Sequence, residues 1–204
     1  STEHLISMIG DILDISKIEN GQIENFRDIF DLENELANML LGENNSAQEK
    51  GLDLSFDFDY SIQHLFVSDL KKIRQIILNL IHNAIKYTNQ GNVLLSVKKI
   101  SETNDNQTLM FVIKDTGIGI DPIYQDKIFN KFFQVDSGDS RTYEGTGLGL
   151  AIVKELVQQL DGKISLDSTI GKGTEFKIEL NLTKSMTYDF EKTNHFKVLI
   201  IDED

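Results

Sequence analysis

Two asparagines and a lysine recur at helical spacing in the segment RQIILNLIHNAIKYT. Because positions three and four apart share one face of a helix, Asn79, Asn83 and Lys86 are predicted to lie together, with Tyr87 beside them. Amide oxygens can bind a hard cation such as Mg²⁺, while the lysine ammonium would meet phosphate oxygens. The alternative is a solvent-exposed polar face. It is weakened because both asparagines stand among Ile, Leu and Ala, where an unpaired amide costs on the order of a few kcal/mol.

Three glycine-rich stretches indicate a second kind of chemistry: DTGIGI at 115–120, GTGLGL at 145–150 and GKGTEF at 171–176. Glycines permit backbone dihedral angles and close approaches that a side chain forbids. Asp115 could accept a hydrogen bond from an exocyclic amine such as N6 of adenine. GTGLGL is typical of a phosphate-binding loop that leads into a helix. Each stretch alone is also explained by a strand and a tight turn, but together they indicate a ligand with a polyanionic end and a flat end.

The elements that must position these residues follow from hydrophobic periodicity. Residues 2–20 place Leu5, Met8, Ile12 and Ile15 on one stripe, which predicts a helix that packs against other helices. The other predicted elements are a second amphipathic helix with Leu32, Leu36, Met39 and Leu40 on one face, a strand at 52–58, a helix capped by Ser68 or Asp69 that turns Leu70, Ile73, Ile77, Leu80, Ile81 and Ala84 inward, strands at 92–100 and 108–115, a helix at 148–161, and a hairpin at about 163–182. This order predicts an α+β fold, a two-layer α/β sandwich with a mostly antiparallel sheet.

The composition limits the possible partners. The chain has 204 residues, 40% of them hydrophobic, which suffices for one core and a small flanking element. A formal net charge of −13 argues against nucleic acid, because binding to its backbone requires clustered Lys and Arg. The sequence has no run of about 20 apolar residues, the length that a membrane-spanning helix needs. The lack of cysteine excludes disulfides and thiolate metal sites. A cytoplasmic location without membrane contact is therefore expected.

The order of the motifs resembles that of sensor histidine kinases, in the ATP-binding class that they share with Hsp90, MutL and type II topoisomerases. Five segments carry this resemblance, which covers nearly the whole chain. They are an asparagine box, RQIILNLIHNAIKYTNQG; a first glycine box, IKDTGIGI; a phenylalanine box, IFNKFFQVD; a second glycine box, EGTGLGLAI; and a last glycine element, GKGTEF. The resemblance implies a GHKL ATP-binding fold, a mixed and mostly antiparallel sheet packed on helices, with ATP and Mg²⁺ as cofactors.

The resemblance also implies a role for each residue of the site. Asn83 would bind Mg²⁺, Asn79 would support the phosphate side, and Asp115 would recognise adenine. Asn79 and Lys86 are expected to act in catalysis. The other residues expected to contact ATP are Lys86 and Tyr87 beside the phosphates, Gly117 and Gly119 in the base pocket with Thr174 near it, and Gly145, Thr146, Gly147, Leu148 and Gly149 along the triphosphate.

A lid is expected between the phenylalanine box and the second glycine box, at about residues 134–146. Its Gly, Ser and Asp residues favour mobility, and Arg141 is a candidate for contact with the γ-phosphate. Phe129, Phe132 and Phe133 are expected to pack the lid against the core.

Three regions are expected along the chain. Residues 1–21 resemble the second helix of a dimerisation and phosphotransfer hairpin, residues 22–186 form the catalytic ATP-binding domain, and residues 187–204 are a linker and the first strand of a receiver domain. The parent protein would form a homodimer through the hairpin. If the parent is a membrane-bound sensor, this chain would belong to its cytoplasmic part. The family's phosphoacceptor histidine stands in a segment similar to SHELRTP, which is absent here, and His4 is not followed by the expected residues.

The expected function is transfer of the γ-phosphoryl group of Mg-ATP to a histidine upstream of residue 1, in two-component signal transduction. The group would then pass to an aspartate of a fused or separate receiver domain. The chain alone is not expected to autophosphorylate. Two alternatives stay open: a GHKL ATPase whose nucleotide drives conformational change, and a non-catalytic dimerisation or scaffold module.

Overall fold

A computed structural model describes residues 26–134 and 146–185. The predicted helix at 2–20, residues 135–145 of the predicted lid, and the predicted receiver strand lie outside these ranges. The strands are β1 (Asp28–Asp31), β2 (Asp53–Phe58), β3 (Leu65–Ser68), β4 (Asn92–Glu102), β5 (Asn106–Asp115), β6 (Lys163–Thr169) and β7 (Gly173–Lys184), and the helices are α1 (Leu32–Glu49), α2 (Leu70–Tyr87), α3 (Pro122–Gln125) and α4 (Gly149–Gln159).

The strands form one mixed sheet in the order β1-β3-β7-β5-β4-β2, and β6 also pairs with β7. Every pairing is antiparallel except that of β2 with β4, which is parallel. The long central strands keep one face inward, and Leu109, Phe111 and Ile113 of β5 are buried on that face. Because side chains alternate along a strand, Asp115 at the end of β5 belongs to the same inward face.

Helix α2 forms as its apolar period predicts. The Asp69 carboxylate caps it by accepting a hydrogen bond from the Lys72 amide at 3.1 Å, so the cap is Asp69 and not Ser68. Its buried apolar residues are Ile73, Ile76, Ile77, Leu80, Ile81, Ala84 and Ile85. These side chains join those of α1, α4 and the sheet in one core, which leaves the polar side of α2 to carry Asn79, Asn83 and Lys86.

The α+β class and the mostly antiparallel sheet are confirmed. The strand predicted at 92–100 continues to Glu102, and the strand predicted at 108–115 begins earlier, at Asn106. The last helix ends at Gln159 instead of residue 161. The short strands β1 and β3 were not predicted, because each spans four residues and depends on its pairing with the other. None of the helices in the described ranges has the length and hydrophobicity needed to cross a bilayer.

Candidate functional site

Asp115 lies at the end of β5 and is only 6% exposed. Its Oδ1 accepts hydrogen bonds from the backbone amides of Gly117, at 2.8 Å, and Thr174, at 3.2 Å. Burial raises the pKa of this carboxyl above its ordinary value, while the two hydrogen bonds lower it in part. Oδ2 accepts no hydrogen bond from the part of the chain that the structure describes, so one oxygen of a buried carboxylate is left for a ligand.

The first glycine box lies between the end of α2 and the turn that joins β6 to β7. The Ile118 amide donates to the Tyr87 carbonyl at 3.2 Å, and the Ile118 carbonyl accepts from the Gly171 amide at 2.7 Å. A Cβ at Gly117 would press on the Tyr87 carbonyl and lie 2.8 Å from Asp115 Oδ1. Gly119 has a positive φ of 70°, and a Cβ at this position would overlap the Thr169 carbonyl. Glycine is therefore needed at both positions for the protein's own packing, and their contact with a base stays a prediction.

Two residues that the sequence did not point to hold this region together. The Ser168 hydroxyl lies 3.0 Å from the hydroxyl of Thr174, and the two residues face each other in the β6–β7 register. Gln125 of α3 donates from Nε2 to the carbonyl oxygens of Ile120 and Ser168, both at 3.0 Å. The hairpin predicted at 163–182 could have placed Ser168 opposite Thr174, but no pattern in the sequence indicates Gln125.

The polar face of α2 brings Asn79, Asn83 and Lys86 together as predicted, and all three side chains are half-buried. The Asn79 Nδ2 atom is fully buried and has no hydrogen-bond partner among the described residues. Its side chain lies about 4 Å from the position that a Cβ of Gly149, the first residue of α4, would occupy. The asparagine box and the second glycine box therefore meet at the beginning of α4.

The second glycine box leads directly into α4. No side chain caps this helix, and Leu148 at its start is 1% exposed. The Leu148 amide donates to Thr146 Oγ1 at 3.1 Å, and Gly147 has a positive φ of 69°. Because the Leu148 side chain is in the core, any contact with a ligand must come from its main chain. Gly145 lies outside the described residues.

The end of α2 is held by Lys50, which the sequence analysis did not single out. Lys50 follows α1, and its ammonium donates to the carbonyl oxygens of Ile85 and Lys86, both at 2.8 Å. These are the carbonyls that a helix leaves without partners at its end. The Lys86 ammonium lies 4.8 Å from the centre of the Tyr87 ring, so the two predicted phosphate neighbours contact each other.

The phenylalanine box packs only in part as expected. The ring of Phe129 meets that of Phe176 edge-on, with 6.3 Å between the ring centres, and the ring centres of Phe133 and Tyr124 are 5.9 Å apart. Phe132, by contrast, is 68% exposed and has a positive φ of 62°. Its amide donates to the Gly147 carbonyl at 2.9 Å, so the backbone of Phe132, and not its ring, joins this box to the second glycine box.

An open groove of about 380 Å³ lies along one side of α2. It includes Asn79 but neither Asn83 nor Asp115, so it is not the cavity that would hold a base. Its lining residues are Lys71, Arg74, Gln75, Leu78, Asn79 and His82.

Residues 68–184 match the family model described as "Histidine kinase-, DNA gyrase B-, and HSP90-like ATPase". The chain belongs to this ATPase family. The chain is 37% identical over 180 residues to hybrid signal transduction histidine kinase B of Dictyostelium discoideum, covering 88% of this chain and 9% of that protein. It is 36% identical over 182 residues to the histidine-protein kinase BarA of Escherichia coli K12, covering 89% of this chain and 20% of BarA.

Solved structures agree with this assignment. Full-length ShkA in complex with AMPPNP superposes with a TM-score of 0.79 at 30% identity, over 89% of this chain and 36% of that one. The histidine kinase AdeS of Acinetobacter baumannii gives a TM-score of 0.71 at 25% identity, over 89% of this chain and 80% of that one. The recognition of a histidine-kinase ATPase domain is thereby confirmed, whereas the role of each site residue stays a prediction.

Proposed function

We propose that this ATPase domain binds Mg-ATP between α2, the first glycine box and the beginning of α4, and transfers its γ-phosphoryl group to a histidine. The observation that carries the proposal is Asp115. A carboxylate at 6% exposure that satisfies one oxygen with two backbone amides and keeps the other without a partner among the described residues is built to accept a ligand donor. The exocyclic amine of adenine is such a donor.

The phosphate end of the nucleotide is assigned to the junction of α2 and α4. The first amides of a helix carry a partial positive charge and bind phosphate oxygens. Helix α4 begins without a side-chain cap, and the buried Nδ2 donor of Asn79 lies beside it without a partner in the described ranges. Lys86 on the same face of α2 would add a full positive charge.

The residues present fit a magnesium ion. Mg²⁺ prefers oxygen ligands and is usually held by one or two protein groups together with phosphates and water. Asn83 offers an amide oxygen one helical turn from Asn79, which would place the ion on the phosphate side. When bound, the ion would neutralise charge on the phosphates. The described residues contain no cluster of three His, Cys, Asp or Glu, so the ion would depend on the nucleotide for most of its ligands.

The protein's contribution to phosphoryl transfer would be positioning and charge stabilisation, as is general for this reaction. Asp115 and the first glycine box would fix the base. Lys86, Asn79 and the amides of α4 would stabilise the charge that develops on the transferred group.

The kinase activity and its partners are proposed from the relatives. The chain spans 9% of the Dictyostelium protein and 20% of BarA, both named as histidine kinases and the former as a hybrid one. We infer that the parent protein forms a homodimer, carries the acceptor histidine on a helix of the dimer, and passes the phosphoryl group to a receiver aspartate in the cytoplasm.

The nucleotide site can be tested by calorimetric titration with a non-hydrolysable ATP analogue, with and without Mg²⁺. Binding is expected to depend on Mg²⁺ in the native chain, to lose that dependence in Asn83→Ala, and to weaken strongly in Asp115→Ala. Asn181→Ala, which changes an exposed residue of β7, is the matched control and should bind as the native chain does. Absence of binding to a folded native chain would refute the proposal.

Phosphotransfer can be tested in the full-length protein. Acid-labile phosphohistidine should form from ATP and disappear in Asn83→Ala. Release of inorganic phosphate without phosphohistidine would instead favour the conformational ATPase. If neither product forms, the result would favour a non-catalytic scaffold.

A further inference from the structure

The Ser168 hydroxyl is the centre of a hydrogen-bond network at the predicted base end of the site. It accepts from the Ile120 amide at 2.8 Å, donates to the Gly173 carbonyl at 3.0 Å, and lies 3.0 Å from Thr174 Oγ1. A hydroxyl has one hydrogen to donate. Since that hydrogen goes to Gly173, the Thr174 hydroxyl must donate to Ser168, and all three partners are satisfied at once.

Gln125 holds the same segment from the other side. Its Nε2 donates to the carbonyl of Ile120 and to the carbonyl of Ser168, each at 3.0 Å. Both the amide and the carbonyl of Ile120 are therefore fixed by Ser168 and Gln125. At the other end of the segment, the Ile118 amide is fixed on the Tyr87 carbonyl at 3.2 Å. The first glycine box is thus held between α2 and the β6–β7 hairpin.

This network reaches Asp115 through two backbone amides. One belongs to Thr174, whose hydroxyl bonds Ser168, and the other belongs to Gly117, at the beginning of the segment that Ser168 and Gln125 anchor. Because both amides bind the same oxygen, their positions set the direction in which the other oxygen points. Ser168 and Gln125 do not bond Asp115 themselves.

We propose that Ser168 and Gln125 are positioning residues for base selection: by fixing the first glycine box on the β6–β7 hairpin, they aim Asp115 Oδ2 at the exocyclic amine of an adenine base. This inference rests on the proposed nucleotide site and names the residues that give it base specificity. Loss of the Ser168 hydroxyl would allow the two amides to shift, and the carboxylate would then discriminate poorly between an amine and a carbonyl at the same ring position.

The test compares ATP with ITP, which carries a carbonyl where ATP has the amine. Dissociation constants for non-hydrolysable forms of both are measured for the native chain, Ser168→Ala, Gln125→Met and the control Ser165→Ala, an exposed serine of the same strand. The preference for ATP is expected to fall about tenfold in Ser168→Ala and in Gln125→Met, as for the loss of one well-aligned hydrogen bond to a charged acceptor. It should be unchanged in Ser165→Ala.

Two further readouts separate positioning from a general loss of stability. Ser168→Thr keeps the hydroxyl and should keep the preference for ATP. In Ser168→Ala the amide proton signal of Thr174 should shift in NMR spectra, and the carboxyl pKa of Asp115 should rise further as the Thr174 hydrogen bond weakens. Gln125→Met carries the test if Ser168→Ala does not fold.

The outcomes are distinguishable. If the folded native chain binds neither nucleotide, the proposed nucleotide site fails and this inference fails with it. If the native chain prefers ATP and the folded Ser168→Ala and Gln125→Met variants keep the same preference, the nucleotide site stands and the positioning role is refuted. An equal weakening for ATP and ITP in both variants also refutes it, because it would show a structural effect without base selection.

Discussion

The carboxylate of Asp69 and the ammonium of Lys72 form an ion pair at 3.5 Å in which both side chains are 5% exposed. Asp69 also caps α2 through the Lys72 amide, and its second oxygen accepts from the Phe26 amide at 3.3 Å. The Asp69 side chain therefore joins the backbone of Phe26, the first described residue, to the helix that carries Asn79, Asn83 and Lys86. The position of the proposed phosphate site depends on this junction.

Replacement of Asp69 by alanine should lower the free energy of unfolding by about 3–5 kcal/mol, because it removes the carboxylate that pairs with the buried Lys72 ammonium. The measurement is urea unfolding followed by circular dichroism. The control is Asp31→Ala, which removes the N-cap of α1, where the carboxylate accepts from the Asn34 amide at 3.1 Å in an exposed setting. That loss should be about 1 kcal/mol, and equal losses in the two variants would contradict the prediction.

Lys50→Met should lower the free energy of unfolding by about 1–2 kcal/mol, because it removes two charge-assisted hydrogen bonds from the end of α2. It should also weaken binding of an ATP analogue, since those bonds fix the backbone of Lys86. The control is Lys163→Met, because the Lys163 side chain is 81% exposed and its ammonium lies 3.5 Å from the Glu179 carboxylate. A surface pair of this kind contributes little, so similar effects in the two lysine variants would argue against a special role for Lys50.

The sequence predicted the elements that have a strong local pattern. Helix α2 has a repeated apolar face and an acidic cap, and its predicted inward residues Ile73, Ile77 and Leu80 are each at most 1% exposed. Strands β1 and β3 have no such pattern. Each has only four residues and is stabilised by pairing, β1 with β3 and β3 with β7. The parallel pairing of β2 with β4 depends on contacts between residues about 40 apart, which periodicity does not report.

Gly117→Ala should destabilise the fold and weaken nucleotide binding, because its Cβ would meet the Tyr87 carbonyl and crowd Asp115 Oδ1 at 2.8 Å. Neither neighbour is a flexible side-chain end that could move away without disturbing the site. The matched control is Gly42→Ala in α1, where nothing lies within 4 Å of the added Cβ. Alanine is favoured over glycine in a helix by roughly 0.5–1 kcal/mol, so the control should be stabilised. Thermal unfolding of the two variants would reveal these opposite signs, and a stabilised Gly117→Ala would contradict the close packing.

Glu102 should titrate far below a normal glutamate. Hydrogen bonds from the ammonium groups of Lys99 and Lys184, both at 3.0 Å, lower its pKa to about 2. Since the folded value lies below the ordinary value of 4.5, this contribution to stability is present above pH 4.5 and is lost as the pH falls toward 2. An NMR titration of the Glu102 carboxyl carbon checks the value, and Lys184→Met should raise it. A normal pKa in the native chain would refute the interaction.

The candidate site, like the fold, has residues that the sequence could predict and residues that it could not. Asn79, Asn83, Lys86 and Asp115 could be selected because their chemistry is unusual for their apolar surroundings. Ser168, Gln125 and Lys50 could not, because a serine in a hairpin, a glutamine in a short helix and a lysine after a helix are ordinary there. Their importance arises from hydrogen bonds across 35 to 48 positions of the chain.

Binding of ATP should depend on the protonation of Asp115. Burial raises the pKa of this carboxyl above the ordinary 3.8, despite hydrogen bonds from the Gly117 and Thr174 amides. Because the folded pKa is above the unfolded one, protonation of Asp115 stabilises the folded state. This contribution to the free energy of unfolding is lost as the pH rises through the folded pKa. The adenine amine needs the opposite state, since a carboxylate accepts a stronger hydrogen bond than a carboxylic acid.

The affinity advantage of the native chain over Asp115→Asn should therefore shrink as the pH falls through the Asp115 pKa. The nucleotide's own titration is common to both proteins and cancels in the ratio of their dissociation constants. The pKa itself can be read from the Asp115 carboxyl carbon by NMR in the free protein, and bound ATP should lower it, since binding to the ionised form stabilises that form. A pKa at or below 3.8 in the free protein would contradict the effect of burial on this carboxyl. A ratio that stays constant across the measured pKa would show that the carboxylate is not the acceptor of the adenine amine.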